Sequence, residues 1–464
     1  MCPTASERAR RGRARVALAL SLSLAPFVAG CGGGETSAAR PNVLVISIDS
    51  LRADHLGTYG YGRDTSPTID ALARAGSVFE HAASQAPWTL PAHASLLTSL
   101  HERTHQASDV DRRLDPARPT LASVLRAAGY ATRAIVSGAF LQARFGLDSG
   151  FEVYDDRLAK VGNRKSHEVV TSDWVNRGAL ELLDGAHEPF FLFVHYWDVH
   201  YDYLPPAPYD TKFAPDYHGT LTSARFMEND AIRAGMDPDD VAHLEALYDG
   251  EIAWVDAHVG ALLAELTRRG LDQRTIVVLT ADHGDEFFEH GEKGHMHSLY
   301  EELLHVPLVV RAPGLPAGGR VAQRVGLIDV MPTVLELAGV AAPAGLEGHS
   351  LAPLLRGEPW TARPVFSETT KARKSKAKSE SKTDSWCVYD GDLKRISFAG
   401  DRYPPEVYDL AADSGEQHRL PDAAALERQL AEWFERVPAG EVVQNTGVDD
   451  ETLRNLRALG YVDK

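Results

Sequence analysis

The sequence predicts an α/β fold: a mainly parallel central sheet covered by helices on both faces, with a small C-terminal α+β subdomain. Three observations predict it. "NVLVISID" (42–49) and "TIVVLTADHGDE" (275–286) are apolar, β-branched runs of the kind buried on both faces of a parallel sheet, and each leads into a carboxylate. "ATRAIVSG", "FFLFVHYWD" and "VPLVVRAP" repeat that texture, separated by helical patterns such as "VAHLEALYDGEIAWVDAHVGALLAELTRRG", apolar at every third and fourth position. After about Pro359 come shorter segments, "WCVYDGDLKRISF" and "PEVYDLAAD", that read as a small antiparallel sheet, followed by the helix "AAALERQLAEWFERV".

From the start of the chain, residues 1–30 read as an export signal. Five arginines precede the apolar run "VALALSLSLAPFVAG", which is too short for a bilayer span of about 20 apolar residues. The junction "VAGC" resembles a bacterial lipobox, implying a lipid on Cys31, a membrane anchor, and a place in the cell envelope facing the periplasm or exterior. An ordinary signal peptide with an incidental Cys31 is the other reading. Residues 31–40 form a Gly-rich tether. The catalytic region is expected over 41–357, the subdomain over 358–446 and a short capped helical tail over 447–464. "KARKSKAKSESK" (371–382) reads as a solvated basic loop, with contact to anionic lipid heads or glycans as the alternative.

Composition narrows the partners. A formal charge of −17, with residues 1–30 at a net +4 from five arginines and one glutamate, leaves a strongly acidic body that is a poor partner for nucleic acid, and none is expected. Of the three cysteines, Cys2 leaves with the signal and Cys31 carries lipid, so no disulfide is available within the mature chain. Cys387, in a strand-like run, is expected to be a buried apolar thiol.

The chemistry sits where the apolar runs end. In parallel sheets ligands gather outside the carboxyl ends of the strands, so Asp49 and Asp282 can converge despite their separation in sequence. With His283 they offer two carboxylates and an imidazole, a set that suits one divalent cation with an open position. An ionisable pair behind a buried run, followed by further histidines in "TADHGDEFFEHGEKGHMHSLYEE", is costly unless it binds something.

"PNVLVISIDSLRADHLGTYGY", "TLPAHASLLTS", "GYATRAIVSG", "YDGEIAWVDAHVG", "TADHGDEFFEHG", "HVPLVVRAPG" and "IDVMPTVLELAGV", in this order, resemble the sulfatase family of the alkaline-phosphatase superfamily. The resemblance implies a metal held by Asp49, Asp282 and His283, with Thr89 as nucleophile and metal ligand. It also implies that His200 contacts the transferred group, and that either His295 or His297 acts as a second cationic or proton-donating residue.

The departures matter as much. The family's pattern of Cys or Ser followed by x-Pro-x-Arg becomes Thr89-Leu90-Pro91-Ala92-His93. The methyl group on the threonine carbinol carbon prevents oxidation to a formylglycine aldehyde, and His93 replaces the arginine. Ser50 stands where many members carry another metal carboxylate. That loss of charge, with a nitrogen from His283, favours zinc or manganese, with calcium a further option. The lysine-containing stretch of the family is absent, with "SGAFLQARFG" in its place.

Threonine next to a divalent cation is a competent nucleophile at phosphorus. The leading expectation is therefore an exported hydrolase of a phosphate mono- or diester, acting on a small molecule or glycan. The alternatives are a sulfatase working without formylglycine, a phosphoryl-group transferase acting on envelope glycans, and a binding-only envelope protein. Thr89 and His93 could instead cap a helix, and Arg52 could serve only to neutralise the metal-site carboxylates.

Overall fold

The first apolar run forms β1 (Asn42–Ile48), buried along its whole length. In chain order there follow α1 (Pro67–Ala75), β2 (Ser77–Ala83), α2 (Thr89–Thr98), β3 (Ala131–Ile135), β4 (Val153–Asp155), α3 (Ser172–Asp184) and β5 (Phe190–Tyr196). After these come α4 (Pro238–Arg268), β6 (Thr275–Ala281), β7 (His305–Arg311), β8 (Gly319–Val321) and α5 (Val330–Leu337). The computed structural model describes residues 40–160, 170–370, 384–400, 402–448, 453, 454 and 456. The expected signal, tether and Cys31, the basic run 371–382 and nearly all of the tail 447–464 lie outside the described residues.

The strands order as β8-β2-β7-β6-β1-β5-β3-β4, with the short strand Val325–Gly326 also on β2. β1 is parallel to both β5 and β6, while β7 runs antiparallel between β6 and β2. The sheet is thus mainly parallel, and its central strands are buried on both faces because helices cover each side. Among the described residues no helix is long and apolar enough to cross a membrane.

Register positions the chemistry. Ile48 of β1 pairs with Ala281 of β6, and Ser47 of β1 pairs with His195 of β5. Asp49 and Asp282, each one residue past its strand, therefore emerge side by side at the same edge. Ser50 turns the chain there in a left-handed conformation (φ 55°), and its backbone N–H donates to Asp282 Oδ1 at 3.1 Å. A non-glycine residue in that region costs about 1–3 kcal/mol and is held by its surroundings.

The C-terminal region contains an antiparallel sheet of β9 (Val365–Thr369), β10 (Ser385–Asp390), β11 (Leu393–Phe398) and β12 (Glu406–Asp409), with α6 (Ala424–Arg436) packed on it through Leu426, Leu430 and Trp433. β10 and β11 form the hairpin read from the sequence, turning at Gly391 (φ 60°). Cys387 is buried there and burial pushes its thiol up to about 11, as expected of an inert apolar cysteine. Val443–Gln444 returns to pair with Arg112–Arg113.

Candidate active site and metal centre

Asp49, Thr89, His93, Asp282 and His283 have no exposed surface. Thr89 is the first residue of α2. Trp88 occupies the cap position with an extended backbone and no side-chain cap, so Thr89 is not the cap that its residue type allowed. The helix start points its unpaired N–H groups and positive dipole end toward the cluster. Thr89 Oγ1 lies 3.4 Å from His283 Nε2.

His283 is fixed by its other nitrogen: Nδ1–H donates to the Gly284 carbonyl at 2.9 Å. Nε2 then faces Asp282 Oδ2 at 3.4 Å and Asp49 Oδ1 at 3.7 Å. Single ligand atoms from Asp49, Asp282 and His283 lie within 4.8 Å of one another. Asp49 Oδ2 and Asp282 Oδ2 have no hydrogen-bond partner among the described residues. Buried carboxylate oxygens left unbonded are expensive, and a divalent cation is the natural complement to this donor set.

Electrostatics agree. Burial pushes the Asp49 carboxyl up to about 7, with His283 opposing it, and burial also pushes Asp285 up to about 7. Asp282 is raised by burial and by the Asp49 charge. Burial holds His93 and His195 down at about 4, so both are neutral near pH 7. His283 moves upward: burial works against it, but Asp282 and Asp49 prevail.

His93 lies one turn beyond Thr89 and is not a cap. Its Nδ1–H donates to the Thr89 carbonyl at 2.8 Å and its Nε2 accepts from Ser47 Oγ at 2.9 Å. Nor does Arg52 neutralise the metal-site carboxylates; its guanidinium pairs with Asp54 and Glu289 and donates to the Asp285 carbonyl.

His200 stacks on Trp197 with ring centroids 3.9 Å apart, and donates from Nδ1 to the Tyr201 carbonyl at 2.6 Å. Its ring centre lies 5.0 Å from that of His295, which lies 4.3 Å from that of His283. His295 therefore faces the cluster. His297 does not: its Nε2 is 2.6 Å from Glu286 Oε2.

Sequence reasoning missed Asp285 and His195. Asp285 accepts from His295 Nδ1 at 2.6 Å and from the Tyr203 hydroxyl at 2.7 Å, fixing the imidazole as a carboxylate-backed histidine. His195 sits inside an apolar strand with its Nε2 3.3 Å from Asp49 Oδ2. Its signal was an imidazole closing the apolar run "FFLFVH" near the strand end.

The connection between β5 and α4 covers the site. Tyr201 stacks on His295 at 5.1 Å, Phe226 stacks on Tyr201 at 5.8 Å, and Lys293 donates to the carbonyls of Phe226, Asn229 and Ile232.

Comparison with known proteins supplies context. The family model described as Sulfatase matches residues 41–340, and that described as N-sulphoglucosamine sulphohydrolase, C-terminal, matches residues 289–438. Arylsulfatase K of Gallus gallus is 26% identical over 441 aligned residues, covering 82% of this chain and 78% of that protein. Among solved structures, the phosphonate monoester hydrolase of Agrobacterium radiobacter shares the fold with a TM-score of 0.69 at 24% identity, over 86% of this chain and 95% of that one. The phosphonate monoester hydrolase of Silicibacter pomeroyi gives a TM-score of 0.67 at 23% identity, over 86% and 96%.

Proposed function

The chain belongs to the sulfatase family, and from that premise we propose that it is an exported, metal-dependent ester hydrolase that cleaves a phosphate mono- or diester through Thr89. The observation that carries the reading is the place of Thr89 at the start of α2, its hydroxyl 3.4 Å from His283 Nε2, the nitrogen that also faces Asp49 and Asp282. Asp49, Asp282, His283 and Thr89 would hold the cation. When bound, it supplies positive charge that lowers the hydroxyl pKa of Thr89 and offsets charge developing on the transferred group.

Thr89 Oγ1, deprotonated, attacks phosphorus in line with the leaving group. The new Oγ1–P bond forms as the ester P–O bond breaks, and the departing alcohol oxygen takes a proton from His295 or His200. Asp285 supports the proton-donating form of His295 by accepting from Nδ1. Water then attacks phosphorus, gives a proton back to the same imidazole, and releases Thr89 together with phosphate from a monoester or a phosphate monoester from a diester. The N–H groups at the start of α2 lie where they can stabilise the equatorial oxygens.

A second reading is supported by the likeness to arylsulfatase K: hydrolysis of a sulfate ester by the unmodified threonine. Initial rates of the zinc- or manganese-loaded enzyme on p-nitrophenyl phosphate, bis-p-nitrophenyl phosphate and p-nitrophenyl sulfate, with Thr89→Ala as control, separate the two. Turnover at phosphorus that disappears in Thr89→Ala is expected, and the mono- to diester ratio then names the subclass. Turnover of the sulfate alone overturns the phosphate reading. For location, we propose a lipid on Cys31, and mass spectrometry of the mature N-terminus checks it: a cleaved chain without acyl groups refutes the anchor.

A further inference from the structure

His195 has no part in that scheme, although it is the polar residue behind the site with the fewest partners. It has no exposed surface, and neither ring nitrogen makes a hydrogen bond among the described residues. Nε2 approaches Asp49 Oδ2 at 3.3 Å without forming a hydrogen bond, and a buried imidazole left so is a cost the fold would shed by substitution unless the ring has a ligand. Packing holds it in place: a Cβ on Gly138 would stand 3.0 Å from the His195 ring, so that glycine is what admits it.

The groups around His195 have the same deficit. Asp282 Oδ2, also without a hydrogen bond, lies 3.5 Å from His93 Nδ1, and the His93 and His195 rings are 5.1 Å apart. One ligand atom each from His93, His195 and Asp282 fall within 4.8 Å of one another, as those from Asp49, Asp282 and His283 do. The two sets share Asp282, whose carboxylate can bridge.

We propose that the centre holds two divalent cations, the second bound by His93, His195 and Asp282, on the side of the centre facing β5 and the second turn of α2. Two imidazoles and one carboxylate select a borderline metal of the zinc type over calcium or magnesium. Ser47 completes the arrangement. His93 now donates from Nδ1 to the Thr89 carbonyl; with a cation on Nδ1 its proton moves to Nε2 and is donated to the Ser47 hydroxyl, the outer hydrogen bond that metal-bound histidines keep. The substitution of His93 for the motif arginine fits this. An imidazole gives up the permanent charge of a guanidinium and offers a nitrogen ligand in its place.

The inference rests on the metal-dependent reading above for its first ion, and its test needs no substrate. The full-length protein is stripped with a chelator, reloaded with zinc, and its metal counted by mass spectrometry and by titration calorimetry. Two equivalents are expected for the wild type and one for His195→Gln, with circular dichroism confirming that the variant is folded. One equivalent in the saturated wild type, or two retained by His195→Gln, overturns the proposal. Should His195→Gln fail to fold, anomalous scattering from zinc-loaded wild-type crystals decides alone: a second peak among His93, His195 and Asp282 supports it, a single peak refutes it. A two-ion protein that cleaves no phosphate ester would sink the proposed function and leave this inference standing.

Discussion

Where the large sheet meets the small one, the ammonium group of Lys394 is fully buried. It lies 3.0 Å from Glu301 and 2.8 Å from Glu416, while the Tyr389 hydroxyl and Arg324 also reach Glu301. Two cations there face two carboxylates. At the edge of β1 and β6, three carboxylates, those of Asp49, Asp282 and Asp285, are buried among imidazoles of which burial keeps at least two neutral. The first cluster is complete within the sequence and fastens β11 to the catalytic region. The second is short of positive charge and has oxygens with nothing bonded to them. Burial alone therefore does not mark a functional site; short of counter-charge, and converging with imidazoles at one sheet edge, the second cluster has the makings of one.

Removing a carboxylate from the unbalanced cluster should affect function most. Asp282→Asn is expected to lower kcat/KM by on the order of 10³-fold or more and to cut the bound metal, while the folded protein persists. Metal analysis beside initial rates checks this, and full activity in that variant would break the contrast. In the balanced cluster the loss should be structural: Lys394→Met strands Glu416, leaves Glu301 with Arg324 and Tyr389, and should cost about 3–5 kcal/mol in urea unfolding, with kcat of the folded enzyme unchanged.

A pH series sharpens the contrast further. The Asp49 carboxyl is raised in the folded, metal-free protein to about 7. Its contribution to stability is present below the unfolded carboxylate range near 4 and is lost as pH rises through about 7. Metal-free protein should thus lose melting temperature between pH 4 and 7, and excess zinc should restore it. A flat profile without metal would argue against the charge deficit. The smallest effect is expected at His297, which Glu286 holds: His297→Gln should reduce kcat less than about tenfold, whereas His295→Gln should reduce it by about 10²-fold or more.

The strands and the first metal set were legible because buried parallel strands are written as continuous apolar runs, and Asp49 and Asp282 interrupt those runs at their ends. His195 was not legible as a site residue. Its relation to Asp49 and His93 depends on the pairing of β1 with β5, which no local pattern encodes. The choice between His295 and His297 failed for a different reason. Met296 between them adopts a left-handed backbone (φ 78°), so neither helical nor strand periodicity tells which imidazole faces inward. The role of Asp285 was hidden by its nearness to the more obvious Asp282-His283 pair. The Lys394 cluster joins segments far apart in sequence, and only the packed structure shows that its charges cancel.

The cover over Thr89 bears on kinetics. If Thr89 is the nucleophile, its lack of exposed surface means that substrate meets it only in conformers where the packing over the site has opened, so the affinity measured is the intrinsic one scaled by how often those conformers occur. The three carbonyls gathered by Lys293 keep that population small, and the same closure shuts out bulk water until the cover moves. The segment that carries Lys293, where Lys293–Gly294 pairs with Glu286–Phe287, would thereby act on the rhythm of turnover, deciding how long the chemistry is left undisturbed and how soon the product is let go.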